Sequence, residues 1–493
     1  MSTNNLTADG NLMELLLDHI QHTQYDDLPD STIAAVKTFV WDSIGVGISG
    51  SRVPLTAALI NTVEGWGQRN SSAYATIWLT GQQVPVGSAA YINGFQMHNQ
   101  EWDCVHEGAV VHPMATILAA LLAYAEYQQS TPQQLILGIA LAVDVATLLG
   151  QSVTSPLKFF RPATCGALGA TAGICAMLGL NRTITANAMG IVYSQISGTM
   201  QAHTEGSIML PVQIGINARA ATQAVDLALA GVCGPKDILL GPFGFLHLFE
   251  DAYDLSRSFP KLGKEFQIER VSHKPFPTGR ACHGTVDALQ TLQQQHGFSW
   301  QEIERIEVEA TPLIMRLVGR EVKDDMDSAW AKLCNGYVAA TALLTGSVGV
   351  ADFDAKWLRD PQRLALAAKV HTRISDTYLN SKDKNAGVND LAPLTVMVIL
   401  TSGKHYSMTL PAVLGHPERP LPLAQQQQKF ELACASALRP LPAAQIEQLQ
   451  HQLQHLEQVN SVRELVQLTV HPDFIQSQGN TPVSASAYEG STL

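Results

Sequence analysis

The chain has 493 residues, 46% of them hydrophobic and only 15% charged, with a formal net charge of −12. That length predicts two or three domains, and so apolar a composition supports a large core with some surface covered by another subunit. The acidity is spread along the chain and excludes the basic footprint that nucleic-acid binding needs.

The opening residues, MSTNNLTADGNLMELLLDHIQH, carry neither a basic stretch nor a long apolar run, so no secretory signal is expected. From residue 11 to about 260 the pattern is helical. Segments such as Ser31–Ile48, Pro113–Gln128, Pro132–Leu149, Gly166–Leu180 and Ile216–Leu229 are apolar on more than one face, which predicts burial among other helices. A short strand is expected at Ala75–Leu79. The uncharged run Ala163–Leu180 approaches the length of a membrane span, but its four glycines and its Thr and Cys residues favour a buried helix with close backbone contacts. No membrane association is expected.

The texture changes after about residue 265. Ile303–Ala310 and Val370–Ile374 alternate as half-exposed strands do, and Leu394–Leu400 and His405–Leu410 flank Thr-Ser-Gly-Lys as a hairpin would. Helices are predicted at Gly284–Gln295 and Ala329–Leu344, and again at Leu423–Ala437, Ala443–Leu456 and Val462–Val470. The predicted fold is mostly α: a helical domain built from both chain ends (1–267 and 413–472) with a smaller inserted α+β lid domain (268–412). Residues 473–493 are expected to be a loosely ordered tail.

Seven cysteines (104, 165, 175, 233, 282, 334, 434) form no CxxC pair, which disfavours structural zinc and iron–sulfur ligation. Their scatter fits reduced thiols in a cytoplasmic protein.

Between His98 and Pro113 lie three histidines, three carboxylates and a cysteine. His98, His106 and His112 are spaced by eight and six residues, unlike an i, i+4 zinc pair, and no metal is expected. The segment reads as a loop feeding a buried helix with Pro113 in its first turn. Such a loop suits acid/base chemistry, or is simply a solvated helix entry. In Ser272–Gly284, prolines fix a turn that carries His273, Lys274, Arg280 and His283. It suits a carboxylate or phosphate, or is a basic surface turn. Arg161 precedes a Gly/Ala-rich helix and suits an anion, or bonds to carbonyls. Tyr337, on its own, fits an amphipathic core tyrosine. No glycine-rich nucleotide motif accompanies them.

Taken together, His98…Glu101-Trp-Asp103…His112-Pro, the Pro-x-x-x-Gly-x-x-Gly-Ala stretch at 162–170, Gln201…Glu205-Gly206, Lys274-Pro-Phe-Pro…His283 and Tyr337-x-x-Ala resemble the MmgE/PrpD family. The resemblance runs through nearly the whole chain. It implies a helical domain with an inserted lid, a homodimer, no metal or organic cofactor, and a small polycarboxylate substrate bound between the domains. Family activities include dehydration of 2-methylcitrate, decarboxylation of cis-aconitate and epimerisation of iminodisuccinate. By this resemblance the proton-transfer and catalytic groups are His112, Asp103, Glu101, Lys274 and Tyr337, with Arg161, Arg280, His283 and His106 binding substrate.

The sequence also departs from the family pattern. Cys104 and Val105 stand where the family more often has Asp and Thr, Arg161 replaces a histidine, and Leu210 falls where a lysine is expected. A histidine used in the decarboxylase turn corresponds to about Gly279. These changes count most against decarboxylation. The leading expectation is a dehydratase of a hydroxy di- or tricarboxylate, with an epimerase, isomerase or decarboxylase of a similar polycarboxylate, or a non-catalytic carboxylate-binding homologue, as the alternatives.

Overall fold

A computed structural model describes residues 12–67 and 73–477. Its helical part packs Asp30–Gly50, Val86–His98, Pro113–Gln128, Pro132–Ser152, Arg161–Met177 and Met209–Leu229 around one another. Small residues permit this. A Cβ on Gly173 would lie 2.5 Å from the Gly138 carbonyl oxygen, and one on Gly169 2.4 Å from that of Ala142. The pair Pro132–Ser152 and Arg161–Met177 therefore closes only with glycine at these positions.

Local signals set the helix ends. Thr131 and Gln134 cap Pro132–Ser152 reciprocally. Pro162 sits in the first turn of Arg161–Met177, where its missing N–H costs nothing, so the helix starts earlier than the expected Gly166. It ends in a Schellman motif: Gly179 has φ +60, and Leu180 N–H donates to the Cys175 carbonyl. Pro132–Ser152 is long and apolar enough to cross a membrane, and its apolar stretch is buried within the protein.

Two strands, β1 (Tyr74–Thr76) and β2 (Gln83–Pro85), pair antiparallel. The expected strand to Leu79 is shorter because Leu79 turns the chain at φ +67. A separate sheet contains β3 (Ile303–Ala310), β4 (Val370–Ile374), β5 (Leu394–Leu400) and β6 (His405–Leu410) in the order β4-β3-β5-β6. β3 runs parallel to β4 and antiparallel to β5, and β5–β6 is the hairpin, with Leu394 opposite Leu410. The helices Arg280–His296 and Asn335–Thr345 pack on this sheet. The sheet and its helices form the α+β part of a mostly helical chain.

The expected helix Ala329–Leu344 is broken into Ser328–Ala331 and Asn335–Thr345, and the break carries Lys332. Helices Leu423–Ala435, Ala443–Gln454 and Val462–Gln467 return to pack on the N-terminal helices. A short helix, Pro472–Ser477, begins the segment expected as a tail, and residues 478–493 lie outside the described residues.

Candidate functional site

Helix Val86–His98 and helix Pro113–Gln128 are joined by a loop that folds back on itself. His98 is the last residue of the first helix and His112 caps the second. The loop reverses at Glu101 (φ +53) and Val110 (φ +52), left-handed positions that cost on the order of 1–3 kcal/mol for non-glycine residues. Surrounding contacts hold it there. Val105 and Ser272 exchange backbone hydrogen bonds of 3.0 and 2.7 Å, and Trp102 Nε1–H donates to the Pro275 carbonyl.

Three buried lysines from distant parts of the chain donate to loop carbonyls. Lys274 Nζ reaches Glu101 O at 3.1 Å, Lys332 Nζ reaches Asn99 O at 3.2 Å, and Lys429 Nζ reaches Trp102 O at 3.0 Å. Lys429 also pairs with the buried Asp42 at 2.6 Å, so the C-terminal helix Leu423–Ala435 helps fix the loop. Lys332 further donates to Gln100 Oε1 at 2.8 Å.

At the centre, Asp103 Oδ2 lies 2.9 Å from His98 Nδ1 and 3.2 Å from His112 Nδ1. Lys274 Nζ is 3.2 Å from Glu101 Oε2 and 3.9 Å from Asp103 Oδ1. His98 Nε2 is 3.6 Å from Glu101 Oε1 and has no hydrogen-bond partner.

This arrangement separates the two imidazoles electrically. Burial opposes the His98 cation, but Asp103 and Glu101 outweigh it and raise its pKa. His112 moves the other way: burial and the nearby Lys274 lower it against the pull of Asp103. Burial works against ionised Asp103, yet the two histidines hold it well below the usual carboxylate range. Glu101, opposed by burial and held by Lys274, falls to about 2. The two imidazoles are thus pushed in opposite directions about one shared carboxylate.

His98, Glu101 and His112 line a pocket of about 600 Å³ of empty space, its mouth included. A smaller pocket adjoins it, sharing His98, Glu101, Leu210 and Leu333 and adding Lys332. Of the expected residues, the structure brings together His112, Asp103, Glu101 and Lys274. Arg280 borders the pocket, but its guanidinium is committed: Nη2 donates to Glu107 at 2.7 Å and Nη1 to the Leu414 carbonyl at 2.7 Å.

The other expected residues do not line the pocket, and each has a structural reason. Arg161 is fully buried, with Nε donating to Glu250 at 3.0 Å, Nη1 to Asn389 and Nη2 to the Ser155 carbonyl. His106 bonds Gln267 and accepts from the Ala109 N–H, with its pKa lowered by burial to about 4. His283 faces the Thr278 carbonyl. The Tyr337 hydroxyl donates to Asp352 O at 2.7 Å, and burial pushes its pKa up to about 12.

Pocket residues that the sequence pattern did not single out are His203, Lys332 and Met200, with Arg320 behind them. His203 lines the large pocket, Nε2 donates to the Leu317 carbonyl, and burial lowers its pKa to about 4. Arg320 Nη2 donates to the His203 carbonyl at 2.8 Å, and its side chain stacks over Trp330. Burial lowers the Lys332 pKa to about 8.

His98, Asp103 and His112 also offer three ligand atoms within 4.8 Å of one another. Zinc bonds each ligand at about 2.0–2.2 Å from the ion. Ligand atoms of such a tetrahedral site stand about 3.3 Å apart, close to the 2.9 and 3.2 Å from Asp103 Oδ2 to the two imidazoles, so the same three groups could hold either a proton or an ion.

Comparison with known proteins agrees with this geometry in extent. The MmgE/PrpD N-terminal domain matches residues 14–258 and the MmgE/PrpD C-terminal domain matches residues 276–455. A cis-aconitate decarboxylase of Mus musculus is 26% identical over 495 aligned residues, covering 96% of each chain. The cis-aconitate decarboxylase-like protein oryM of Aspergillus oryzae is 24% identical, over 72% of this chain and 78% of its own.

Proposed function

This chain belongs to the MmgE/PrpD family, and we propose that it is a cofactor-independent lyase that removes a proton next to a substrate carboxylate. The observation that carries this reading is the contact of the His98 and His112 Nδ1 atoms with one oxygen of buried Asp103, which with Lys274 shifts their proton affinities in opposite directions. An α-proton beside a carboxylate is weakly acidic, so its removal needs a positioned base and fixed positive charge for the enediolate that forms. Neutral His112 accepts that proton, and ionised Asp103 stabilises the imidazolium. Lys274 and Lys332 supply positive charge on the Glu101 side. Protonated His98, whose Nε2 has no partner, delivers a proton to the departing hydroxyl. The net reaction is loss of water from a hydroxy polycarboxylate to give an alkene.

A second reading is decarboxylation. The relatives named as decarboxylases support it, as does a pocket wall that is largely apolar. Loss of carbon dioxide converts a charged group into a neutral one, which a low-dielectric wall favours. Here His98 protonates the carbon that the carboxylate leaves. Incubation with 2-methylcitrate, citrate and cis-aconitate, following alkene absorbance and released carbon dioxide together, decides between the two. Alkene formation without gas supports dehydration, and gas release supports decarboxylation. Silence in both on these acids and on 2-methyl- and 2-propylmalate, with no α-proton exchange, would end the lyase reading.

We also propose a domain division at 1–267, 268–412 and 413–472, and a homodimer in the cytoplasm. Ile216, Leu227 and Leu229 on helix Met209–Leu229, with Val232, Phe243 and Leu248 beyond it, are exposed apolar residues that a second copy could cover.

A further inference from the structure

The joined pocket has two unlike ends. Leu157, Phe160, Met200, Val318 and Leu391 line its large compartment. The other compartment lies beyond Glu101, against Lys332 and the Gly206–Ser207 turn. Arg320 stands behind that turn: its buried Nη1 has no hydrogen-bond partner and lies 3.6 Å from where a Cβ on Gly206 would be. Among the described residues neither Lys332 nor Arg320 forms a salt bridge.

Three further cations around the site are paired, and Arg316 donates to the Leu157 carbonyl. Arg280 is paired with Glu107, Arg161 with Glu250, and Lys429 with Asp42. Lys274 is held by Glu101 and Asp103, which leaves Lys332 in the pocket wall and Arg320 behind the Gly206 turn. Among the described residues these two cations have no carboxylate partner, and both lie toward one end.

We propose that the substrate is a dicarboxylate carrying an apolar substituent in place of a third carboxylate. Its carboxylates lie on the Lys332 and Arg320 side, its reacting carbon lies between His98 and His112, and its alkyl group fills the compartment of Phe160, Met200 and Leu391. A third carboxylate there would lie mostly against hydrocarbon, beside an Arg280 already paired with Glu107. This rests on the lyase reading for the reaction but not for binding.

The test is calorimetric titration of the wild-type protein with 2-methyl-, 2-propyl- and 2-pentylmalate and with citrate. Affinity is expected to rise about fourfold per added methylene, the usual gain for burying one, and citrate is expected to bind at least about tenfold more weakly than 2-propylmalate. Leu391→Trp fills the apolar end and is expected to abolish the chain-length gain while 2-methylmalate still binds. Met200→Phe provides the same test if the first variant misfolds. Lys332→Met is expected to weaken every malate by about tenfold or more. Citrate binding as tightly as the alkylmalates, no dependence on chain length, or no binding of any malate would each overturn the proposal. α-Proton exchange is followed separately. Chain-length-dependent binding without exchange would remove the lyase reading alone, and exchange with a citrate preference would remove this inference alone.

Discussion

The imidazoles of His98 and His112 meet edge-on, 5.1 Å between centroids, and turn their Nδ1 atoms to the same oxygen of Asp103. Fourteen positions apart in sequence, they close a loop whose shape depends on that shared carboxylate. The proposed chemistry follows from the asymmetry between them, since the proton affinity of His98 is raised and that of His112 lowered.

Loss of either ring should therefore be costly in different ways. His112→Asn and Asp103→Asn are expected to lower kcat by about 10²–10⁴-fold, the usual contribution of a positioned proton-transfer group. Steady-state assays on the preferred alkylmalate or polycarboxylate, with circular dichroism to confirm folding, check this.

The pH profile of kcat/KM should be bell-shaped. His112 must be neutral, so activity falls as pH drops through its pKa, which burial and Lys274 set below the ordinary 6.5. His98 must be protonated, so activity falls as pH rises through its pKa, which Asp103 and Glu101 set above 6.5. A profile that rises without limit toward alkaline pH would remove His98 from the acid role.

Acid should destabilise the fold in a defined window. Burial depresses the pKa values of His106, His203 and His273 to about 4, and that of His283 well below its ordinary value. The unfolded chain takes up protons at these histidines near pH 6.5, before the folded one does. Their stability is thus fully present above pH 6.5 and is lost as pH falls toward 4. Urea midpoints measured at pH 7 and pH 5 should show the drop, and His106→Gln should reduce it.

Arg161 separates a binding role from a structural one. Its guanidinium is spent on Glu250, Asn389 and Ser155. Arg161→Met should cost about 3–5 kcal/mol of stability by leaving Glu250 buried and unpaired. KM of the folded variant should stay close to that of the wild type. A large rise in KM with unchanged urea stability would restore Arg161 as a substrate ligand.

Much of the fold was legible because its signals are local. The strands β3 to β6 coincide with runs of alternating polarity, and Pro113 and Pro132 mark helix starts by their own geometry. The acid/base loop was legible because its titratable residues are crowded into a few turns. Pairing over long separations was not. Glu250, which neutralises Arg161, lies 89 residues further along, and Lys332 reaches Gln100 across 232. Lys332 was also hidden by the apolar run around it, which read as one continuous helix. A lone lysine there carries no periodic signal, and only the break before Asn335 turns it toward the loop. The carboxylate partners of Arg161 and Arg280, Glu250 and Glu107, were hidden for a related reason. A charge next to a helix start looks the same in sequence whether a substrate or a buried carboxylate awaits it.

Deuterium wash-in at the α-carbon tests most directly whether His112 is the base. The folded wild-type protein should exchange the α-proton of a bound alkylmalate or polycarboxylate. His112→Asn should lose that exchange by about 10²-fold or more, while His98→Asn should keep it and lose the elimination step. Exchange by His112→Asn at the wild-type rate would contradict the assignment of His112 and, with it, the division of labour between the two imidazoles.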